Sequence, residues 1–496
     1  MTDTTGGADT GRLTTPLDPA LQRMLLEPHW ERTAPWKAEL ERITRVDLAH
    51  VVMLAERGVV GRGEAAALLT AISGLRDQDF RPIEGRPAPR GLYLAYEGYL
   101  IGVLGEEVGG LLHTGRSRND LNATCLRLGL REPLARLLRR LIRLELVLVN
   151  RARRYGATVM PAYTHHQPAV PVTYGHYLTG LAGALSREVD ALLHAGEGLA
   201  SSPLGAGAVG GTSIPVDAAR TAELLGFDAV VPNSIDAVAA RDMVLRLLAA
   251  ATTLGVVLSR AATDLLLWSS EEHGLIRLPD DLVGSSSMMP QKRNPFVLEH
   301  VRGKTSAALG AFVAAAAAMR NEPFTNSVAV GTEGTKPVWD ALRESEEAVT
   351  ILLKVFSGAT VNAAAMERRA GESMITATAV AEEMVRRGVP FRRAHHEVGL
   401  AARLVLDGAA PSLADVLRDR GHFETPGDVP ADPAKVCEAA EYGGGPGPRS
   451  RARAIAQVCG RVTAHRARLR AWTESWREAE ARTTRAVHAV TGTPPA

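Results

Sequence analysis

Cysteine is nearly absent from this chain. Only Cys125, Cys437 and Cys459 occur in 496 residues, far apart and with no C-x-x-C pair. A disulfide scaffold and a cysteine zinc site are therefore not expected, and a reducing, cytoplasmic setting fits. Aromatic residues make up 4% of the chain, which disfavours a sheet-rich fold. An excess of either charge is also missing. Lys plus Arg number 57 against 55 Asp plus Glu, a net charge of +2, so neither nucleic acid nor an anionic membrane is expected as a partner. No uninterrupted run of about 18 apolar residues is found, so no membrane span is expected. Residues 1–17 are rich in Thr, Gly and Asp, without a basic start leading into an apolar core. They read as a loose tail rather than a signal peptide.

What is abundant is Ala and Leu, which favours helix. Leu134, Leu137, Leu138, Leu141, Leu144 and Leu148 recur along one helical face, with Pro133 near the start of the run. A helix is expected from Ile235 to about Ser270, capped by Asn233-Ser234 with Asp236 in its first turn. It would be about 50 Å long and apolar nearly all round at Leu247–Leu258. Two more long helices are expected at Phe296–Met319 and Lys336–Phe356. Shorter ones, Lys37–Gly58 and Glu64–Leu75, precede the proline-containing loop Arg81–Gly91. The reading is an all-α chain: after the tail at 1–17 come three parts, a helical domain at 18–115, a central long-helix bundle at 116–361 and a helical domain at 362–496.

Three polar segments interrupt this helical text. His113-Thr-Gly-Arg-Ser-Arg-Asn-Asp120 places two guanidiniums among hydroxyls and an amide, and Arg116 and Arg118 could fork a carboxylate. Tyr163-Thr-His-His-Gln-Pro-Ala-Val-Pro-Val-Thr-Tyr-Gly-His176 carries adjacent histidines, which on a helix or strand would point to different faces and chelate poorly. One of them, beside Thr164 and Gln167, could hold a proton near neutral pH. Gly284-Ser-Ser-Ser-Met-Met-Pro-Gln-Lys-Arg-Asn-Pro295 gathers three hydroxyls, a lysine and an amide in a short loop that could surround a small anion. No cluster suggests a metal or an organic cofactor.

The last of these segments resembles the G-S-S-x-M-P-x-K-x-N signature of the fumarase/aspartase superfamily, in the M-P-Q-K form of its argininosuccinate lyase branch. The other two resemble that branch's H-T-x-R-S-R-N-D and Y-T-H-x-Q-x-x-x-P-V-T-x-G-H regions. Lesser matches, such as Pro203-Leu-Gly-Ala-Gly-Ala208 and Gly443-Gly-Gly-Pro446, extend the likeness over roughly residues 37–470. The resemblance implies a fumarase/aspartase-like fold. It also implies a homotetramer whose active sites combine segments of three subunits, and an anti-elimination that releases fumarate from a small dicarboxylate substrate. In that scheme Ser286 is the base, with Ser287 as a lesser candidate. Lys292 and Asn294 stabilise the enediolate, and His165 assists the leaving nitrogen. Ser117, Arg118, Asn119, Thr164 and Gln167 hold the substrate.

Elsewhere the match breaks. The family's E-D-x-H element is replaced by Arg90-Gly-Leu-Tyr93, and its S-D-R-D by Ala239-Ala-Arg-Asp242. Its P-x-x-Y-N-K-D-x-Q-E element reads Pro323-Phe-Thr-Asn-Ser-Val-Ala-Val-Gly-Thr-Glu-Gly334. Asn326 thus stands in the tyrosine slot of the substrate pocket, and Gly331 falls near the glutamine. Glu333 remains as an acidic contact for an amine. The expectation is a C–N lyase acting on a succinyl-amine other than argininosuccinate. The alternatives are an argininosuccinate lyase with an altered arginine pocket, a hydratase-like activity on a related dicarboxylate, and a catalytically silent structural member.

Overall fold

The computed structural model describes residues 17–25, 35–88 and 91–492. The expected tail, up to residue 16, and Arg90 lie outside the described residues. The chain is all-α as expected, with strands among the described residues confined to three two-stranded pairs.

Five helices form the central bundle: Arg118–Arg154, Tyr174–Gly196, Asp242–Ser269, Phe296–Met319 and Pro337–Gly358. The leucine stripe from Leu134 to Leu148 is fully buried in its core. Pro133 does not begin that helix but lies inside it, since the helix starts at Arg118. A proline costs a helix interior about 3 kcal/mol. Each buried leucine contributes roughly 1.5–3 kcal/mol, so six of them outweigh the break.

The expected Ile235–Ser270 helix is split in two. Asn233 caps as anticipated, accepting the N–H groups of Ile235 (2.9 Å) and Asp236 (3.1 Å). The helix then ends at Ala239, and a second one runs from Asp242 to Ser269. The interruption has a local cause. Arg241 is buried and folds back to donate Nη1 to the carbonyls of Val238 (3.1 Å) and Ala240 (2.7 Å), taking up two helix-end acceptors.

By length and composition Asp242–Ser269 is apolar enough to cross a membrane, with a mean hydropathy of 1.6 in its best window. Its sequence is not an uninterrupted apolar run, because Arg246, Thr252 and Thr253 break it. Leu247, Leu248, Leu254, Leu258 and Leu265 on it enter the central core, as expected of a core helix.

A second core lies among Pro35–Glu56, Arg62–Asp77 and Leu92–Leu104, and a third, small one gathers Val380, Met384, Val398 and Leu417. The 44-residue helix Pro448–Thr491 lies along the bundle. This scaffold presents the three polar segments at the start of Arg118–Arg154, on a hairpin after it, and in the loop before Phe296–Met319.

Candidate active site

The segment 113–120 is held by its own side chains. Gly115 has φ +72°, and a Cβ there would meet Val216 Cγ1 at 2.7 Å, so only glycine fits the turn. Ser117 caps the long helix, accepting the Asn119 N–H (3.3 Å), while Asp120 returns to the Ser117 N–H (2.9 Å). Asp120 also accepts the N–H groups of Gly205 (3.1 Å) and Gly207 (2.9 Å). Burial pushes its carboxyl above the usual range, and these donors offset part of that rise. One buried carboxylate thus ties the Pro203–Ala208 segment to the helix start.

Arg116 is not available to fork a substrate. Its side chain is fully buried in an ion pair with Asp47 (2.6 Å). Burial works against its charge, and Asp47 overcomes this and holds it above the ordinary arginine range. Tyr93, in the family's histidine slot, lies close by and bonds His113 Nδ1 at 2.8 Å. Burial, with Arg116 and Arg118 nearby, pushes His113 down to about 4, so it is neutral at pH 7. Arg118 is exposed, its charge close enough to weigh on His113.

Asn119 faces the other way. Its Nδ2 donates to the Ala208 carbonyl (3.0 Å), and its Oδ1 accepts Nδ2 of Asn326 (3.0 Å). The structure therefore places Asn326 beside a sequence-predicted site residue. It also explains Gly331, which lies in a wide π-type turn, Ala329–Glu333. A Cβ on Gly331 would stand 2.8 Å from Asn326 Oδ1. Glu333 is exposed on this turn.

The adjacent histidines lie neither on a helix nor within a strand. They form the two-residue tip of an antiparallel hairpin, Val159–Thr164 with Gln167–Thr173, closed by the pair Thr164↔Gln167. Both have positive φ, 53° for His165 and 60° for His166, as a type I′ turn requires. Asn or Gly is usual there, so two histidines impose strain of the kind found at functional sites. Thr164, His165 and Gln167 are all exposed.

The serine loop is pinched at its base, where Gly284 and Asn294 exchange both backbone hydrogen bonds at 2.8 Å. Ser286 Oγ accepts the N–H groups of Met289 (3.1 Å) and Met288 (3.4 Å). Asn294 Nδ2 donates to the Ser285 carbonyl (3.3 Å), and Arg293 anchors the loop on Asp280 and the Leu278 carbonyl. Ser287 and Lys292 are exposed. None of the hydrogen bonds named above joins the helix start, the hairpin tip and the serine loop to one another. One chain brings together Ser117, Asn119 and Asn326.

A family model described as lyase matches residues 55–310, more than half of the chain, and one for the argininosuccinate lyase C-terminal region matches 374–417. The chain is 36% identical over 437 residues to the argininosuccinate lyase of Methanoculleus marisnigri, covering 86% of this chain and 88% of that one. It belongs to the argininosuccinate lyase branch of the fumarase/aspartase superfamily. Among solved structures, EDDS lyase in complex with formate superposes with a TM-score of 0.88 at 29% identity, covering 97% of this chain and 98% of that one. An EDDS lyase variant with bound fumarate gives 0.87 at 28% identity, with the same coverage. As a member of this branch, the protein is a carbon–nitrogen lyase.

Sequence reasoning did not find three features of this lyase. They are the Asp120 bracket, the Asp47–Arg116 pair and the burial of Arg241. The S/T-x-x-D spacing of Ser117 and Asp120 was the one available signal.

Proposed function

We propose that this lyase splits the C–N bond of an N-substituted aspartate other than argininosuccinate, releasing fumarate and an amine. The observation that carries the reading is the Asn119–Asn326 hydrogen bond with Gly331 beside it. The residues assigned to elimination are retained, while those assigned to the amine half of the substrate are rewritten into a different contact.

In this reading Ser286 Oγ removes the proton from the carbon next to the distal carboxylate, and charge flows onto that carboxylate. Two backbone N–H groups converge on Oγ, and such donors favour the alkoxide. Lys292 and Asn294 stabilise the enediolate, the Asn294 amide turning from the Ser285 carbonyl to the substrate. The C–N bond then breaks with its electron pair on nitrogen, and His165 supplies a proton directly or through water. Ser117, Arg118, Asn119, Thr164, Gln167, Ser287 and Asn326 hold the substrate.

In this reading, as the family resemblance implies, the working form is a homotetramer with sites shared between copies. Val256, Leu309 and Val313 support this, being exposed apolar side chains on the long bundle helices. Three free cysteines fit a cytoplasmic setting.

A second reading, argininosuccinate lyase itself, is favoured by the 36% identity to a curated enzyme of that name. Fumarate formation from argininosuccinate, followed by ultraviolet absorbance with Ser286→Ala as control, separates the two. Serine-dependent release establishes the second reading. Its absence, with turnover of another succinyl-amine, establishes the first.

A further inference from the structure

Asp47 and His50 lie one turn apart on the helix Pro35–Glu56, and both side chains are buried. That helix is fixed in the second core by Leu40, Ile43, Val46 and Leu54. Neither residue belongs to the three polar segments, yet both reach the first of them. His50 Nε2 donates to the Thr114 carbonyl (2.8 Å), and Asp47 pairs with Arg116 Nη1 (2.6 Å). Burial, with Arg116 beside it, holds His50 well below the usual histidine range. Its ring is therefore neutral, and its one N–H goes to Thr114. Arg116 Nη2 also reaches the Tyr93 hydroxyl (3.4 Å), which in turn bonds His113.

His113, Thr114 and Arg116 are thus each held from outside the segment, and Gly115 among them fits only as glycine. The next three residues are Ser117, Arg118 and Asn119, those assigned to the substrate. Arg118 is exposed, and Ser117 and Asn119 are half-buried, so little packing fixes their side chains. Binding groups work only when held within about 0.5 Å of their productive positions. The backbone leading into them supplies that constraint here.

Stability alone does not account for the arrangement. Replacing two fully buried ions by apolar chains of similar volume is often neutral or stabilising. What the Asp47–Arg116 pair adds over such chains is direction, since a charge-assisted hydrogen bond fixes the guanidinium in one orientation.

We propose that Asp47 and His50 are positioning residues of the elimination site, holding residues 113–116 so that Ser117, Arg118 and Asn119 meet the carboxylates of fumarate and of the succinyl group that yields it. This rests on the C–N lyase reading above. In this role both residues act through the backbone before the long helix, and neither meets the substrate.

The test is fumarate binding to the full chain, measured by calorimetry. In Asp47→Leu/Arg116→Met the two ions give way to apolar chains, so the melting temperature should hold or rise. The expected result is a fumarate dissociation constant at least about 10-fold higher, because misplaced binding groups lose much of their effect. Unchanged affinity in this folded variant overturns the proposal. His50 decides should the double variant not fold. His50→Leu should weaken fumarate binding by roughly 2- to 12-fold, the worth of one hydrogen bond. His50→Gln, whose amide can donate to Thr114, should recover affinity at a similar melting temperature. Equal binding in wild type and His50→Leu, or equal loss in both His50 variants, overturns the proposal. A wild type that binds no fumarate counts against the lyase reading instead. Hydrogen–deuterium exchange at residues 117–119 then decides the positioning: faster exchange in His50→Leu than in wild type supports it, and equal exchange overturns it.

Discussion

Asn326 donates its side-chain amide to Oδ1 of Asn119 at 3.0 Å, across 207 residues of sequence. The bond connects the start of the longest bundle helix with the turn after Phe296–Met319. It orients Asn119, whose own amide is held by the Ala208 carbonyl. Gly331 leaves the room that this bond needs.

Breaking that bond should impair substrate use more than folding. Asn326→Ala removes one hydrogen bond at a half-buried site, worth about 0.5–1.5 kcal/mol, so kcat/KM should fall by roughly 2- to 12-fold. Gly331→Ala should act similarly by crowding Asn326 Oδ1. In the Asn326→Ala background it should add little, because both changes act through the same contact. Full additivity in steady-state kinetics would contradict the coupling.

Ser286 supplies a second prediction. Ser286→Ala should lower turnover by at least about 100-fold, the usual scale for losing a general base. The melting temperature should barely change, because the loop is half exposed and held by Arg293 and the Gly284–Asn294 pair. Activity persisting at a tenth of the wild-type value would remove Ser286 from the role of base.

Asp120 should matter for stability. Asp120→Ala strands the N–H groups that it accepts from Ser117, Gly205 and Gly207. The expected loss is about 3 kcal/mol or more, from several donors left unpaired together. Asp120→Asn keeps some of these contacts and should cost less. Denaturant unfolding of the two variants checks the order.

His465 sets a pH dependence. It lies between Asp190 (2.8 Å) and the buried Glu145 (3.7 Å), which Ser186 also bonds. Burial works to lower its pKa, and the neighbouring carboxylates of Glu145 and Asp190 outweigh burial and raise it. A raised folded-state pKa contributes stability that is fully present below the unfolded value of about 6.5 and is lost as pH rises through the folded value. The melting-temperature gap between wild type and His465→Gln should therefore be widest in mild acid and narrow as pH rises. A gap that widens with pH would contradict the assignment.

The three polar segments and the long apolar helices were legible in the sequence because local chemistry wrote them. Residues 284–295 crowd hydroxyls, an amide and a lysine into a short stretch, and Leu134–Leu148 repeats at helical spacing. What escaped depends on partners distant in sequence. Nothing local distinguishes Arg116, paired with Asp47, from the exposed Arg118 two residues on. The hairpin at His165-His166 was hidden because its two-residue turn carries neither the Asn-Gly nor the Asp-Gly pair that marks a type I′ hairpin. The break at Ala240–Arg241 carries no glycine or proline, and the returning Arg241 side chain makes it. Asn326 was visible as a departure from the family pattern, but its attachment to Asn119 was not.

The most direct test of the central claim is the kcat/KM for fumarate release from argininosuccinate, beside a panel of other succinyl-amines made from amino acids. The account predicts negligible release from argininosuccinate and release from another member of the panel, lost in Ser286→Ala. Efficient release from argininosuccinate, lost in the same variant, would show that Asn326 and Gly331 still accommodate arginine, and would contradict the account.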